Sequence, residues 1–197
     1  MIFLTKCAIL LLINYGRREM TKTVYIVISQ TGTALSRILK FITGAKYNHS
    51  SISLVPDLET MYSFGRLRPR NPFLGGFVVE SPHSGTFKRF SGTTVEVLAI
   101  HVSEGQYINL SQMLEGMVKN KKRYHYNYLG LFLAGAKIHY RRANTFYCSE
   151  FVKEMLVKGG IREARELSDI VEPMHFLTLP NANHVYSGKL KDFADKN

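Results

Sequence analysis

What this chain can fold into is constrained most by a succession of short β-branched runs in its first half, with segments of helical period on either side. Residues 24–28 are a near-continuous apolar run that reads as a buried strand. Gly32 breaks it, and Ala34, Leu35, Ile38, Leu39 and Ile42 then recur at helical spacing up to a stop at Gly44. Residues 49–55 and 60–64 predict two strands turned at Pro56-Asp57. Residues 66–76, with Pro69, Pro72 and paired glycines, predict a long loop. Residues 77–80 and 95–102 read as further strands, and residues 104–120 as a helix with Ile108, Met113, Leu114, Met117 and Val118 on its apolar stripe. Residues 124–140, rich in tyrosine and glycine, predict a loop with a short helix. Asn144 or Thr145 can start a helix that turns Phe151, Val152, Met155 and Leu156 inward and stops at Gly159-Gly160. The remainder, with Pro173 and Pro180, reads as mostly irregular, ending in a polar Lys/Asp tail. Helices around a central run of antiparallel strands indicate an α+β fold.

The chain has 197 residues, enough for one domain with a real core and too few for two. Its first 19 residues stand apart. Residues 2–15 are apolar apart from Thr5, Lys6 and Asn14, yet shorter than the roughly 20 residues of a membrane span. They lack the basic start and small-residue cleavage site of a secretory signal. Gly16-Arg17-Arg18-Glu19 precedes Met20, and a strand-like run follows at once. The expectation is that Met20 begins the folded domain, 20–197, and that residues 1–19 are an extension or a weak membrane anchor. The chain is otherwise expected to be cytoplasmic.

Only Cys7 and Cys148 carry thiols, too few for a secreted disulfide framework. A net charge of +11 suits polyanions such as anionic headgroups or acidic cell-wall polymers. The cations fall in short clusters (Arg66, Arg68 and Arg70; Lys119, Lys121, Lys122 and Arg123; Arg141 and Arg142) without the register of a nucleic-acid-reading element. Removing residues 1–19 lowers the charge only to +9. The cysteine and histidines show no ligand-pair spacing, so no metal and no cofactor is expected.

Chemistry concentrates at Phe146-Tyr147-Cys148-Ser149-Glu150-Phe151-Val152. The cysteine falls in the first turn of an amphipathic helix, where the helix dipole and unpaired N–H groups favour thiolate. Its own N–H is then aimed to stabilise a developing oxyanion. A thiolate nucleophile needs an imidazole to pair with it and to protonate the leaving group. Of seven histidines, His49 opens a strand whose alternate residues Ser51 and Ser53 are small and polar, opposite the core-facing Ile52 and Leu54. A third group orients the imidazole. A hairpin register centred near residues 56–58 puts Ser63 on the face of His49 and Ser51. Glu80, ending the next strand, is chemically the stronger orienter; Ser63 is preferred on geometry and Glu80 is the alternative. Inert readings compete at each position: a buried thiol, an exposed strand-end histidine and a surface strand-end carboxylate.

Tyr47-Asn48-His49-Ser50-Ser51-Ile52-Ser53-Leu54, followed 99 positions after His49 by Cys148 in Tyr147-Cys148-Ser149-Glu150-Phe151-Val152, resembles the circularly permuted NlpC-type papain-like hydrolases. These include YiiX-like bacterial proteins and, more distantly, lecithin retinol acyltransferase. The resemblance spans about residues 23–187 and includes Tyr62-Ser63-Phe64-Gly65-Arg66. It implies a papain-like fold in which histidine precedes cysteine, a polar residue on the following strand completes a triad, and His49, Ser63 and Cys148 take those places. Serine departs from the His, Asn, Gln or Glu often found third. The implied activity is thiol chemistry on an amide or ester: cell-wall peptides, other amides, or lipid esters by hydrolysis or acyl transfer. Tyr124, Tyr126, Tyr128 and Tyr140, with Phe132 and Leu133, are candidates for an apolar acyl site, though core packing is the commoner fate of such residues. A reading of another class is a non-catalytic basic protein that binds anionic membrane or nucleic acid, the latter the weaker partner.

Overall fold

A computed structural model describes residues 21–32, 46–68 and 71–195. The expected helix over residues 34–42, Cys7 and the whole 1–19 segment lie outside the described residues. The fold is α+β. An eight-stranded mixed sheet runs in the order β7-β6-β4-β3-β2-β1-β5-β8. Its strands are β1 (Thr21–Gln30), β2 (His49–Ser53), β3 (Met61–Arg68), β4 (Asn71–Glu80), β5 (Thr94–Ser103), β6 (His125–Tyr126), β7 (Thr145–Phe146) and β8 (Ala182–Lys189). All neighbours are antiparallel except β6 and β7, which pair in parallel. Among the described residues it is accompanied by the helices α1 (Gly85–Arg89), α2 (Glu104–Lys119), α3 (Tyr128–Gly135), α4 (Cys148–Lys158) and α5 (Leu190–Ala194).

Strands β1 and β5 are covered on both faces, which is why they read as continuous apolar runs rather than alternating ones. On one face Val24, Ile26, Ile28, Leu98 and Ile100 pack against Leu110 and Leu114 of α2 and Phe151, Val152 and Leu156 of α4. On the other, Val27, Met61, Val95 and Val97 pack against Phe87 of α1 and Leu190 of α5. Helix α2 opens with a capping box: the Ser103 N–H donates to Gln106 Oε1 at 2.9 Å, and Ser103 Oγ accepts from the Gln106 N–H at 3.3 Å. Its buried stripe is Leu110, Leu114 and Met117; Ile108 and Val118, expected inside, are exposed. Helix α4 is stopped as its glycine pair predicts, with Gly160 at φ +91° and the Ile161 N–H returning to the Leu156 carbonyl.

Three expectations are corrected. The expected long loop over residues 66–76 is mostly strand, because β3 runs to Arg68 and β4 begins at Asn71, pairing Gly65 with Gly76 and Arg66 with Gly75. The glycines are there because another segment lies on them: a Cβ at Gly75 would meet Tyr128 Oη at 2.6 Å and Tyr126 Cβ at 2.8 Å. The cysteine helix begins at Cys148 itself, since Thr145 and Phe146 are held as β7 against β6. The tail is an edge strand and a short helix, with β8 held by its pairing to β5.

Candidate active site

Cys148 is the first residue of α4, and α4 packs across β2 and β3 on the buried side chains of Phe151, Val152 and Leu156. Tyr147, at the N-cap, provides no side-chain cap. Glu150 does so from within the first turn, accepting the Tyr147 N–H at 3.3 Å. Asn127 Nδ2 reaches the same carboxylate at 3.5 Å and also donates to the Tyr140 carbonyl at 2.9 Å. The start of the cysteine helix is thereby tied to the segment that carries β6 and α3.

His49 opens β2, and its charge and that of the Cys148 thiolate act on one another, while the Cys148 thiol faces the neighbouring Asn48 carbonyl at 3.9 Å. His49 Nε2 faces Glu80 Oε2 at 3.1 Å and Oε1 at 3.2 Å, Ser63 Oγ at 3.2 Å and Ser51 Oγ at 3.4 Å. The Ser63 hydroxyl donates to the Ser50 carbonyl at 2.9 Å, so it offers the ring a lone pair. Ser51 donates to Glu80 Oε2 at 2.8 Å and fixes the carboxylate in turn. The β2–β3 register pairs Ile52 with Tyr62 and Ser53 with Met61, and one further step sets Ser51 opposite Ser63, on the face where the turn at Pro56-Asp57 puts it. Met61 pairs with Glu80 across β3 and β4, which brings the carboxylate onto that same face. Cys148, His49, Ser63 and Glu80 thus converge, and preferred and alternative third residues meet one nitrogen.

The electrostatics are those of an ion pair. Burial alone would pull the His49 pKa down, but the Glu80 carboxylate, together with the hydrogen bond and charge of Cys148, holds it up at about 10. Burial would likewise push the Cys148 thiol up. The His49 hydrogen bond and charge, with backbone N–H groups of Ser50 and Ser149, bring it below its ordinary value. The arrangement favours thiolate and imidazolium at neutral pH.

Sequence reasoning missed the role open to Tyr126. Its side chain lies near the Cys148 sulfur, and burial followed by the thiolate charge raises its pKa well above the usual value, so it stays a phenol and a potential donor. Parallel pairing of Tyr126 with Phe146, two residues before the cysteine, sets it there. The Tyr126 ring packs tilted against Tyr128 with centroids 4.6 Å apart, over the space that Gly75 leaves free. A donor beside the sulfur can stabilise a tetrahedral oxyanion along with the helix N–H groups. Tyr126→Phe is expected to lower kcat by about 10²-fold with KM and Cys148 alkylation little changed; unchanged kcat would leave Tyr126 a packing residue.

Cys148 is only 4 % exposed, so access to it is narrow. A cleft of about 290 Å³ lined by Phe87, Lys88, Phe90, Thr93, Leu190 and Lys191 does not include it. Phe87 borders both that cleft and His49, its ring 6.3 Å from the imidazole. The expected core packing holds for Tyr124 and Tyr126, which are partly buried against the main core, and fails for Phe132, which is 79 % exposed. No family model matches the chain, and neither a curated protein nor a solved structure matches it.

Proposed function

We propose that this protein is a thiol-dependent hydrolase or acyl-transferase with a permuted papain-like architecture, acting on a carboxylic amide or ester. The observation that carries the reading is the pairing of Cys148, at a helix N-terminus, with His49, whose Nε2 is held by a buried carboxylate. In the proposed reaction Cys148 attacks the acyl carbon and the amine or alcohol leaves with the proton of His49. Water, or an acceptor alcohol or amine, then resolves the thioester with His49 as base. The Cys148 N–H and the Tyr126 hydroxyl stabilise the oxyanion in both halves, and Glu80 with Ser63 orients the imidazole. A histidine-bearing sheet strand that precedes the cysteine helix in the chain is the order the resemblance implies. The sequence leaves peptidase, amidase and lipid-ester chemistry open, and the uncharged, exposed α3 beside the thiol favours an acyl chain over a cell-wall peptide.

The test is a panel of fluorogenic peptide, simple amide and lipid-ester substrates against wild type and Cys148→Ser. Turnover of at least one class, lost in the serine variant, is expected. Inertness toward all of them, or equal turnover by both proteins, would favour the non-catalytic binding reading.

A further inference from the structure

Helix α3 has the sequence YLGLFLAG, with no charged residue and only Gly130 buried. A surface helix ordinarily turns its apolar stripe inward and a polar face to water. Here Leu129 is 51 % and Phe132 79 % exposed, and Ile138 just beyond is 52 % exposed. On the β3–β4 hairpin, whose Gly75 receives Tyr126 and Tyr128, Leu67 and Leu74 are exposed as well. Exposed apolar side chains grouped along one helix of a basic protein mark an interaction surface.

The surroundings say what covers it. Residues 116–149 contain seven lysines and arginines and not one aspartate or glutamate. Residues 60–79, which include the hairpin, contain three arginines and no acid. Lys121, Lys122, Arg123, Lys137 and Arg142, in the segments that flank α3 along the chain, are all exposed, while Arg141 pairs with Glu150 and Glu154. An apolar helix framed by cations, with no acid interspersed, matches an interface that is hydrocarbon inside and anionic at its rim. A second copy of the chain would bring cations against cations. Nucleic acid would answer the charge but leave Leu129, Phe132 and Ile138 in water.

We infer that α3 and the adjoining β3–β4 hairpin form a docking surface for an anionic lipid bilayer. Leu129, Phe132 and Ile138 enter the headgroup–acyl boundary while the flanking lysines and arginines engage the headgroups. The site deepens the proposed function, on which its catalytic meaning rests: Tyr126, two residues before α3, lies near enough to the Cys148 sulfur to feel its charge. Docking therefore carries the thiol to acyl esters or amides held in the membrane.

The experiment is co-sedimentation of the full chain with vesicles of phosphatidylcholine alone and of phosphatidylcholine mixed with phosphatidylglycerol. The wild type is compared with Leu129→Ser/Phe132→Ser. Both proteins carry the apolar residues 2–15, so their difference reads α3 alone. Expected are a strong preference for the anionic vesicles that weakens with salt, and a loss of about tenfold or more in partitioning for the double variant. Iodoacetamide labelling of Cys148 in vesicle-free buffer is expected to be equal in the two proteins, which shows that the variant folds. Equal sedimentation of both, or no preference for anionic lipid, overturns the docking surface. Self-association that the double variant abolishes, without vesicle binding, also overturns it and assigns the patch to a second copy. Vesicle binding with a Cys148 inert to every acyl substrate leaves the docking surface standing and removes the enzyme reading.

Discussion

Alanine at Cys148 is expected to reduce acyl transfer by about 10⁴-fold or more, and His49→Ala to approach the same loss while also changing how the thiol titrates. In the wild type the reactive ion pair exists between the lowered pKa of Cys148 and the His49 pKa of about 10. Below that window the sulfur is protonated. Above it the imidazolium has lost the proton that the leaving group needs. The rate of acyl transfer should therefore rise through a pH below the ordinary thiol value of about 8.5, hold level, and fall near 10. Alkylation by iodoacetamide should show the same acid limb without the alkaline fall, because a free thiolate still alkylates. Removing His49 leaves burial as the main influence on the thiol, which pushes its pKa upward. The alanine variant should then label at pH 7 about tenfold or more slowly than wild type, with its rising limb above the free-thiol value. Equal and slow labelling of both proteins at pH 7 would show that the sulfur is an ordinary buried thiol.

The parts of this arrangement that were legible in the sequence are those governed by local period. The two-residue alternation of Ser51 and Ser53 against Ile52 sets the polar face of β2, and the turn at Pro56-Asp57 sets the register that carries Ser63 onto it. The apolar spacing of Phe151, Val152, Met155 and Leu156 defines the inward face of α4 and so the end at which Cys148 stands. What was not legible depends on pairings between distant segments. Glycine and proline at residues 69–76 signal a loop in isolation, yet Gly75 and Gly76 are strand residues made small by Tyr124, Tyr126 and Tyr128 lying on them. Tyr126 and Tyr128 are two tyrosines in one short segment. Only the parallel pairing of β6 with β7 turns the first toward the sulfur and leaves the second exposed. Strand β8 is mostly exposed and lacks an apolar face, so its order comes from the edge of β5 that it pairs with.

The choice between Ser63 and Glu80 can be decided by the charge each offers. Both reach His49 Nε2 within 3.2 Å, but a hydroxyl supplies a neutral hydrogen bond and a carboxylate also supplies a negative charge in a site where the side chains of His49 and Glu80 are 15 % and 13 % exposed. Burial disfavours imidazolium, and the charge of Glu80 is the largest of the influences, ahead of those of Cys148, that keep His49 protonated up to about pH 10. Glu80→Gln keeps the shape and removes that charge. The His49 pKa should then drop from about 10 toward its ordinary value of 6.5, since burial acts in that direction and only the influence of Cys148 still opposes it. With it the alkaline limb of acyl transfer should move down by more than about two pH units, and kcat should fall by about 10²- to 10⁴-fold. Ser63→Ala removes one neutral contact and the hydroxyl donated to the Ser50 carbonyl, and should cost about tenfold while leaving the alkaline limb near 10. If the larger loss and the shifted limb belong to Ser63→Ala instead, the hydroxyl is the orienting group and the carboxylate only fills the space beside it. Ser51 donates to Glu80 at 2.8 Å, so Ser51→Ala should reproduce a weaker form of whichever result Glu80→Gln gives, by freeing the carboxylate rather than removing it.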